Sequence, residues 1–170
     1  MSTEPPSIHF YRAIGRHGFL SNLYKHSLTY NEIEFPSAEN AYQYEKANKQ
    51  EIRDIIRICP PRIAAIIGHG LMLYDISPHW NAVRTAIMFQ VIKAKFQDPV
   101  LRRKLLETGD AKLFEDSKSD AFWGTGKKGN GMNMLGLLLM EERERIRGAY
   151  SYDIPDLLFV CFLVLVGIFC

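Results

Sequence analysis

Apolar positions along the chain recur mostly at helical spacing, with strand-like alternation confined to short stretches near the N-terminus. Ile8-His9-Phe10-Tyr11 is rich in strand formers. Leu28 to Phe35 alternates loosely around Asn31, which offers a turn, and this predicts a short antiparallel element. Ser37 is a natural N-cap, since its hydroxyl can accept from a free first-turn amide, and the Ala- and Lys-containing run behind it reads as helix. A second helix is predicted from Lys49 to Ile58, ending before Cys59-Pro60-Pro61 because proline cannot continue it. Pro61 opens a third, which carries Ile63, Ile66 and Ile67 and is expected to break at Gly68-His69-Gly70. Ser77-Pro78 starts a long helix whose Trp80, Val83, Ile87, Val91 and Ala94 form a core stripe. Asp98-Pro99 caps another, closed by Gly109 after Thr108. Asn133 caps the last, in which Leu135, Leu138 and Leu139 make a core face, Glu142 a charged edge, and Gly148 the stop. The predicted fold class is α+β: a mostly α-helical single domain with a small antiparallel β element near the N-terminus.

Two ends fall outside this pattern. Residues 1–7 read as a disordered lead-in. Residues 149–170 read as a linker and an apolar C-terminal tail, because Leu157 to Cys170 has no polar side chain apart from its thiols. Those fourteen residues fall short of the roughly 17–25 that a membrane-spanning helix needs. A terminal core strand, a membrane-associated tail and an end foreign to the domain are all open.

The composition changes this picture little. The 170 residues suffice for one domain with a real core, and 47% hydrophobic with 24% charged is ordinary globular composition. A formal net charge of +2 gives no global field to recruit nucleic acid or membrane. Cys59, Cys161 and Cys170 lack paired spacing and build neither a disulfide framework nor a metal knuckle. Met1 to Ser7 is polar and Pro-containing, unlike a signal peptide, so a reducing, cytoplasmic setting is expected.

Candidate chemistry concentrates on the Ser37 helix. At about 100° per residue, Glu39, Gln43, Lys46 and Gln50 fall in one stripe flanked by Tyr42, either a solvated face or the wall of a pocket. Gly124-Thr125-Gly126-Lys127-Lys128-Gly129 matches Gly-x-Gly-x-x-Gly but lacks the βαβ context of a dinucleotide site, and no Walker Gly-Lys-Ser/Thr follows. It reads as a loop, either solvated or presenting lysines and free helix amides to a phosphate. His9, His17, His26, His69 and His79 show no metal spacing, and Cys59 has no evident base beside it.

Five blocks extend the reading: Gly18-Phe19-Leu20-Ser21-Asn22; Ser37-Ala38-Glu39-Asn40-Ala41-Tyr42-Gln43-Tyr44-Glu45-Lys46; Ala94-Lys95-Phe96; Asp120-Ala121-Phe122-Trp123-Gly124; and Gly131-Met132-Asn133-Met134-Leu135-Gly136 running on to Met140. In this order, across residues 8–148, they resemble the NADAR (YbiA-like) family. The resemblance implies an N-glycosidase acting on the ribosyl C–N bond of phosphorylated ribosylamino-pyrimidine intermediates of the riboflavin pathway, or of ADP-ribosylated guanine. Its partner would be a phosphorylated riboside, an ADP-ribosyl compound or ADP-ribosylated nucleic acid, with no metal or redox cofactor. A non-catalytic module that binds ADP-ribose or a phosphoriboside is the alternative.

An N-glycoside breaks through an oxocarbenium-like state that a nearby carboxylate stabilises. On this reading Glu39 is the general acid/base, Lys46 the candidate nucleophile for a Schiff base with the sugar, with direct hydrolysis by a Glu39-activated water as the alternative, and Asp120 a ribose-orienting or stabilising carboxylate. Trp123 would stack on the base. Phe19, Ser21, Asn22, Asn40, Gln43, Gly124 and Asn133 are expected to contact substrate, with Glu115 in support. One departure stands out: Asn40 occupies the place where the family usually has His, and Asn cannot shuttle protons near neutral pH.

Overall fold

The computed structural model describes residues 5–71 and 75–149. In chain order it contains β1 (Ser7–Phe10), a 3-10 turn (Gly18–Leu20), β2 (Leu28–Tyr30), β3 (Ile33–Phe35), α1 (Ala38–Lys46), α2 (Gln50–Ile58), α3 (Pro61–Leu71), α4 (Trp80–Lys95), α5 (Pro99–Leu106) and β4 (Lys112–Glu115). A last helix, α6, covers residues 134–149. The α+β class and the β2–β3 antiparallel hairpin agree with the sequence pattern, the tight turn resting on positive φ at Asn31 and Glu32. The second pair was not legible locally. β1 pairs in parallel with β4, Ile8 opposite Leu113, from positions a hundred residues apart. Lys112 N–H also donates to Pro6 O, so the chain is already pinned at Pro6 and Ser7, within the stretch expected to be disordered. Residues 1–4 and the 157–170 tail lie outside the described residues.

Several element ends follow from their chemistry. Ser37 Oγ accepts from Asn40 N–H at 3.3 Å, and Asp98 Oδ1 accepts from Val100 and Leu101 N–H at 2.9 and 2.8 Å. α1 stops at Lys46 because Asp75 Oδ2 takes the amides of Asn48 and Lys49, and Ala47 forms a β-bridge with Ile76. Gln50 therefore leaves the polar stripe and bonds Asp54 on the surface. α3 runs through Gly68-His69-Gly70 instead of breaking there. A Cβ at Gly68 would overlap the Gln43 side chain, so the glycine serves the close approach of α3 to α1. Likewise α6 passes Gly148 without stopping.

The main core gathers Phe10, Phe19, Leu20, Ile92, Phe96, Leu105, Leu113 and Leu139 between α4, α5, β4 and α6. Each such side chain contributes about 1.5–3 kcal/mol when fully buried. Two predicted faces are rotated. On α4, Val83 is 39% exposed and the buried line runs through Trp80, Met88, Val91, Ile92 and Lys95. On α6, Glu142 is not an edge but fully buried, where both its oxygens accept from Arg145 at 2.7 Å.

Candidate active site

A cavity of about 310 Å³ opens between α1, α4, the 21–23 loop and the segment 115–123. Three hydrogen bonds set the relation of its helical walls. Asn22 O accepts from Glu39 N–H at 3.0 Å while Asn22 Nδ2 donates to Met88 Sδ, joining the start of α1 to the second half of α4. At the other end Ser77 N–H donates to Lys46 O at 2.9 Å, just ahead of Trp80. The two helices thus run antiparallel along the cavity. α1 presents Glu39, Tyr42, Gln43 and Lys46; α4 presents Trp80, Asn81, Arg84 and Met88 at one-turn spacing.

The three residues expected to carry catalysis line this one cavity. Glu39 accepts from Gln43 Nε2 at 2.9 Å. Burial pushes its carboxyl above the ordinary carboxylate range, and the Gln43 hydrogen bond and the nearby His69 and Lys46 charges oppose that rise. Lys46 is 8% exposed and its Nζ donates to Gly68 O at 2.6 Å. Burial lowers its pKa, which favours the neutral amine, although Glu39 pulls the other way. Asp120 Oδ1 accepts from the amides of Phe122 and Trp123, both at 2.8 Å, so it shapes its own turn as well as lining the cavity. Trp123 stands edge-on to Tyr42, with ring centroids 5.5 Å apart.

Ser21, Asn22, Gln43 and Glu115 are also in the lining. Burial, reinforced by Glu39 and Asp120, pushes the Glu115 carboxyl up to about 8, which makes it a proton-bearing acid at neutral pH. Phe19, Asn40, Gly124 and Asn133 are placed elsewhere. Phe19 packs edge-on against Phe96 in the core. Asn40 is fully buried, donating to Ile56 O and Cys59 O at 2.7 and 2.8 Å and accepting from Ser37 Oγ. Position 40 thus fastens α1 to the end of α2 rather than facing the cavity. Gly124 lies against the Glu115–Ser117 backbone. Asn133, at φ 51°, accepts from Glu115 N–H and donates to Leu113 O, stitching α6 to β4 instead of capping its own helix.

Of the two readings of that loop, the phosphate one loses most of its amides. The N–H groups of Asn133, Met134 and Leu135 donate to the carbonyls of Gly124, Phe122 and Trp123, and Lys127 and Lys128 point to solvent outside the lining. Arg84, Asn81 and Ser117 are cavity residues that the pattern did not single out, and His69, considered only as a metal ligand, and Trp80, read as core, join them. The spacing Trp80–Arg84–Met88 was the available signal. Among the described residues no three His, Cys, Asp or Glu are grouped to hold a metal ion, and no helix is long and apolar enough to cross a membrane.

The NADAR domain family model matches residues 9–147. The chain belongs to the NADAR family. The N-glycosidase YbiA of Escherichia coli is 35% identical over 141 residues, which is 82% of this chain and 88% of YbiA. An N-glycosidase of Nostoc punctiforme is 33% identical over 150 residues, 85% of this chain and 96% of that protein. A riboflavin biosynthesis protein of Vibrio vulnificus is 34% identical, but this NADAR chain spans only 40% of its length. The NMR structure of E. coli YbiA superimposes with a TM-score of 0.79 at 31% identity, covering 88% of this chain and 89% of that one. Four of the five blocks named from the sequence contribute residues to the cavity lining, whereas Ala94-Lys95-Phe96 does not.

Proposed function

We propose that this NADAR domain is an N-glycosidase that hydrolyses the ribosyl C–N bond of a phosphorylated ribosylamino-pyrimidine. The convergence of Glu39, Lys46 and Asp120 with the proton-bearing Glu115 on one small-molecule-sized cavity carries the reading. The hydrolase class is further supported by relatives named N-glycosidase that match over most of both chains. The pyrimidine riboside is favoured over ADP-ribosylated guanine because other relatives are named riboflavin biosynthesis proteins, of which this chain spans a part.

In this mechanism the neutral Lys46 amine attacks the anomeric carbon while Glu39 or Glu115 gives its proton to the departing nitrogen. The C–N bond to the base breaks, and the lysine-bound sugar opens to an imine as its ring oxygen takes up a proton. Water adds to the imine carbon and the lysine leaves as the amine, releasing the sugar phosphate. Asp120 orients the ribose hydroxyls, and Trp123 and Tyr42 hold the base against an aromatic wall.

Base release followed chromatographically, on a phosphorylated ribosylamino-pyrimidine and on ADP-ribosylated guanine, tests this. Release from the first substrate that disappears in Glu39→Gln at unchanged melting temperature supports the proposal. Release only from the second reassigns the substrate. Binding of either without release makes the domain a recognition module and overturns the enzymatic reading.

A further inference from the structure

We propose that Arg84 is the residue that takes the substrate's phosphate, and so sets the preference for phosphorylated over free ribosides. The inference rests on the reading above and adds to it the one group that the sugar-cleaving residues leave unserved.

Arg84 sits in the middle of the α4 wall, one turn from Trp80 and one from Met88. Its guanidinium carbon lies over the Phe122 ring, 3.5 Å from the centroid, a close cation–π contact. Beyond that ring, among the described residues, it makes no hydrogen bond and no ion pair, and its Nε is sealed from solvent without an acceptor. Other arginines with buried or half-buried atoms are satisfied. Arg143 donates to Thr108 Oγ1 and Ala111 O, and Arg147 to Asp110 and Glu144. Asp120, two residues from Phe122, forms no ion pair with Arg84, and its Oδ1 is held by two backbone amides.

A guanidinium cannot shed its charge by losing a proton. Leaving its donors unpaired inside a cavity is therefore costly unless an anion arrives. The remaining unpartnered buried polar atoms of the lining are two amide acceptors, Asn22 Oδ1 and Gln43 Oε1 beside Gly68, and one oxygen of the proton-bearing Glu115 carboxyl. A ligand that satisfies this set carries several hydroxyl or N–H donors and one anion. The planar fork of arginine matches two phosphate oxygens at once and brings the positive charge that the anion needs. Asn81, three residues ahead on the same helix and also in the lining, places a carboxamide donor beside it.

The test is calorimetric binding of ribose 5-phosphate and of ribose to the full chain, in the wild type and in Arg84→Met, Arg84→Gln and Arg84→Lys. The wild type is expected to prefer ribose 5-phosphate by about tenfold or more. Arg84→Met and Arg84→Gln should reduce that ratio to near one, and Arg84→Lys should restore part of it. Equal wild-type affinity for the two probes overturns the inference. So does a full phosphate preference in folded Arg84→Gln, which keeps a planar group over Phe122. The readout needs no turnover: a phosphate preference that depends on Arg84 stands even if no riboside is hydrolysed, and hydrolysis with an unaltered preference in the variants leaves the glycosidase reading intact while removing this one.

Discussion

Replacing Lys95 with methionine should change how the stability of the protein depends on pH. Lys95 is 2% exposed, and its Nζ donates to Ser21 O at 2.9 Å and Leu20 O at 3.4 Å, with no carboxylate among the described residues paired to it. Burial drives its pKa from 10.5 down to about 7. Below pH 7 the amine is charged in both the folded and the unfolded chain, and the fold bears the whole penalty of the buried charge. Between pH 7 and 10.5 the folded chain sheds the proton that the unfolded chain keeps, so stability rises with pH. At ~1.4 kcal/mol per pH unit, the full penalty is about 5 kcal/mol. The neutral amine still donates to both carbonyls. Lys95→Met removes those donors, at about 1–3 kcal/mol for each carbonyl left bare. The two effects offset below pH 7, so the variant is expected to be about as stable as the wild type there, or more so. At pH 9 the wild type should have gained about 3 kcal/mol on it. Urea unfolding of both proteins from pH 6 to 10, followed by tryptophan fluorescence, measures the difference directly. Comparing two proteins cancels titrations that they share, Glu115 among them. Parallel stability curves for the two proteins would refute the assignment of a buried, readily deprotonated lysine under the Ser21–Asn22 loop.

Activity of the wild type should fall as pH rises through about 8, where Glu115 loses the proton that burial has kept on it, and Glu115→Gln should remove that limb from the pH–rate profile. Borohydride added during turnover is expected to trap a ribosyl adduct on Lys46, seen as a mass increase on its peptide; Lys46→Arg should lose both adduct and most activity, since guanidinium does not deprotonate. Gly68→Ala should leave the melting temperature within a few degrees, because alanine favours helix by about 1 kcal/mol and the displaced atoms belong to the flexible end of Gln43. The same change should cut turnover about tenfold or more by breaking the Gln43–Glu39 hydrogen bond, and wild-type kinetics in that variant would show Gln43 to be dispensable.

Local rules were enough for much of this molecule. Ser37 and Asp98 cap helices because a short side-chain oxygen meets a free amide wherever the chain turns into α. The 3.6-residue period alone aligned Glu39, Gln43 and Lys46, and the structure places all three in one cavity. Other features depend on what lies opposite. Asn133 looks like a cap, yet its carboxamide is used by the β4 backbone. Asn40 lies on α1 between two cavity residues in sequence, yet it faces α2. A helix break looked due at Gly68, yet α3 continues because a glycine lets it approach Gln43. The parallel pairing of β1 with β4 joins residues about a hundred positions apart, and no local period encodes such a partner. Arg84 is the sharpest case. In sequence it is one polar residue on a mostly apolar helix, and only the folded chain sets it over Phe122 from a distant loop, half-buried with its Nε sealed from solvent and unpaired. Period and capping describe a residue relative to its own backbone, whereas burial, pKa and hydrogen-bond satisfaction are set by whichever groups the folded chain brings against it.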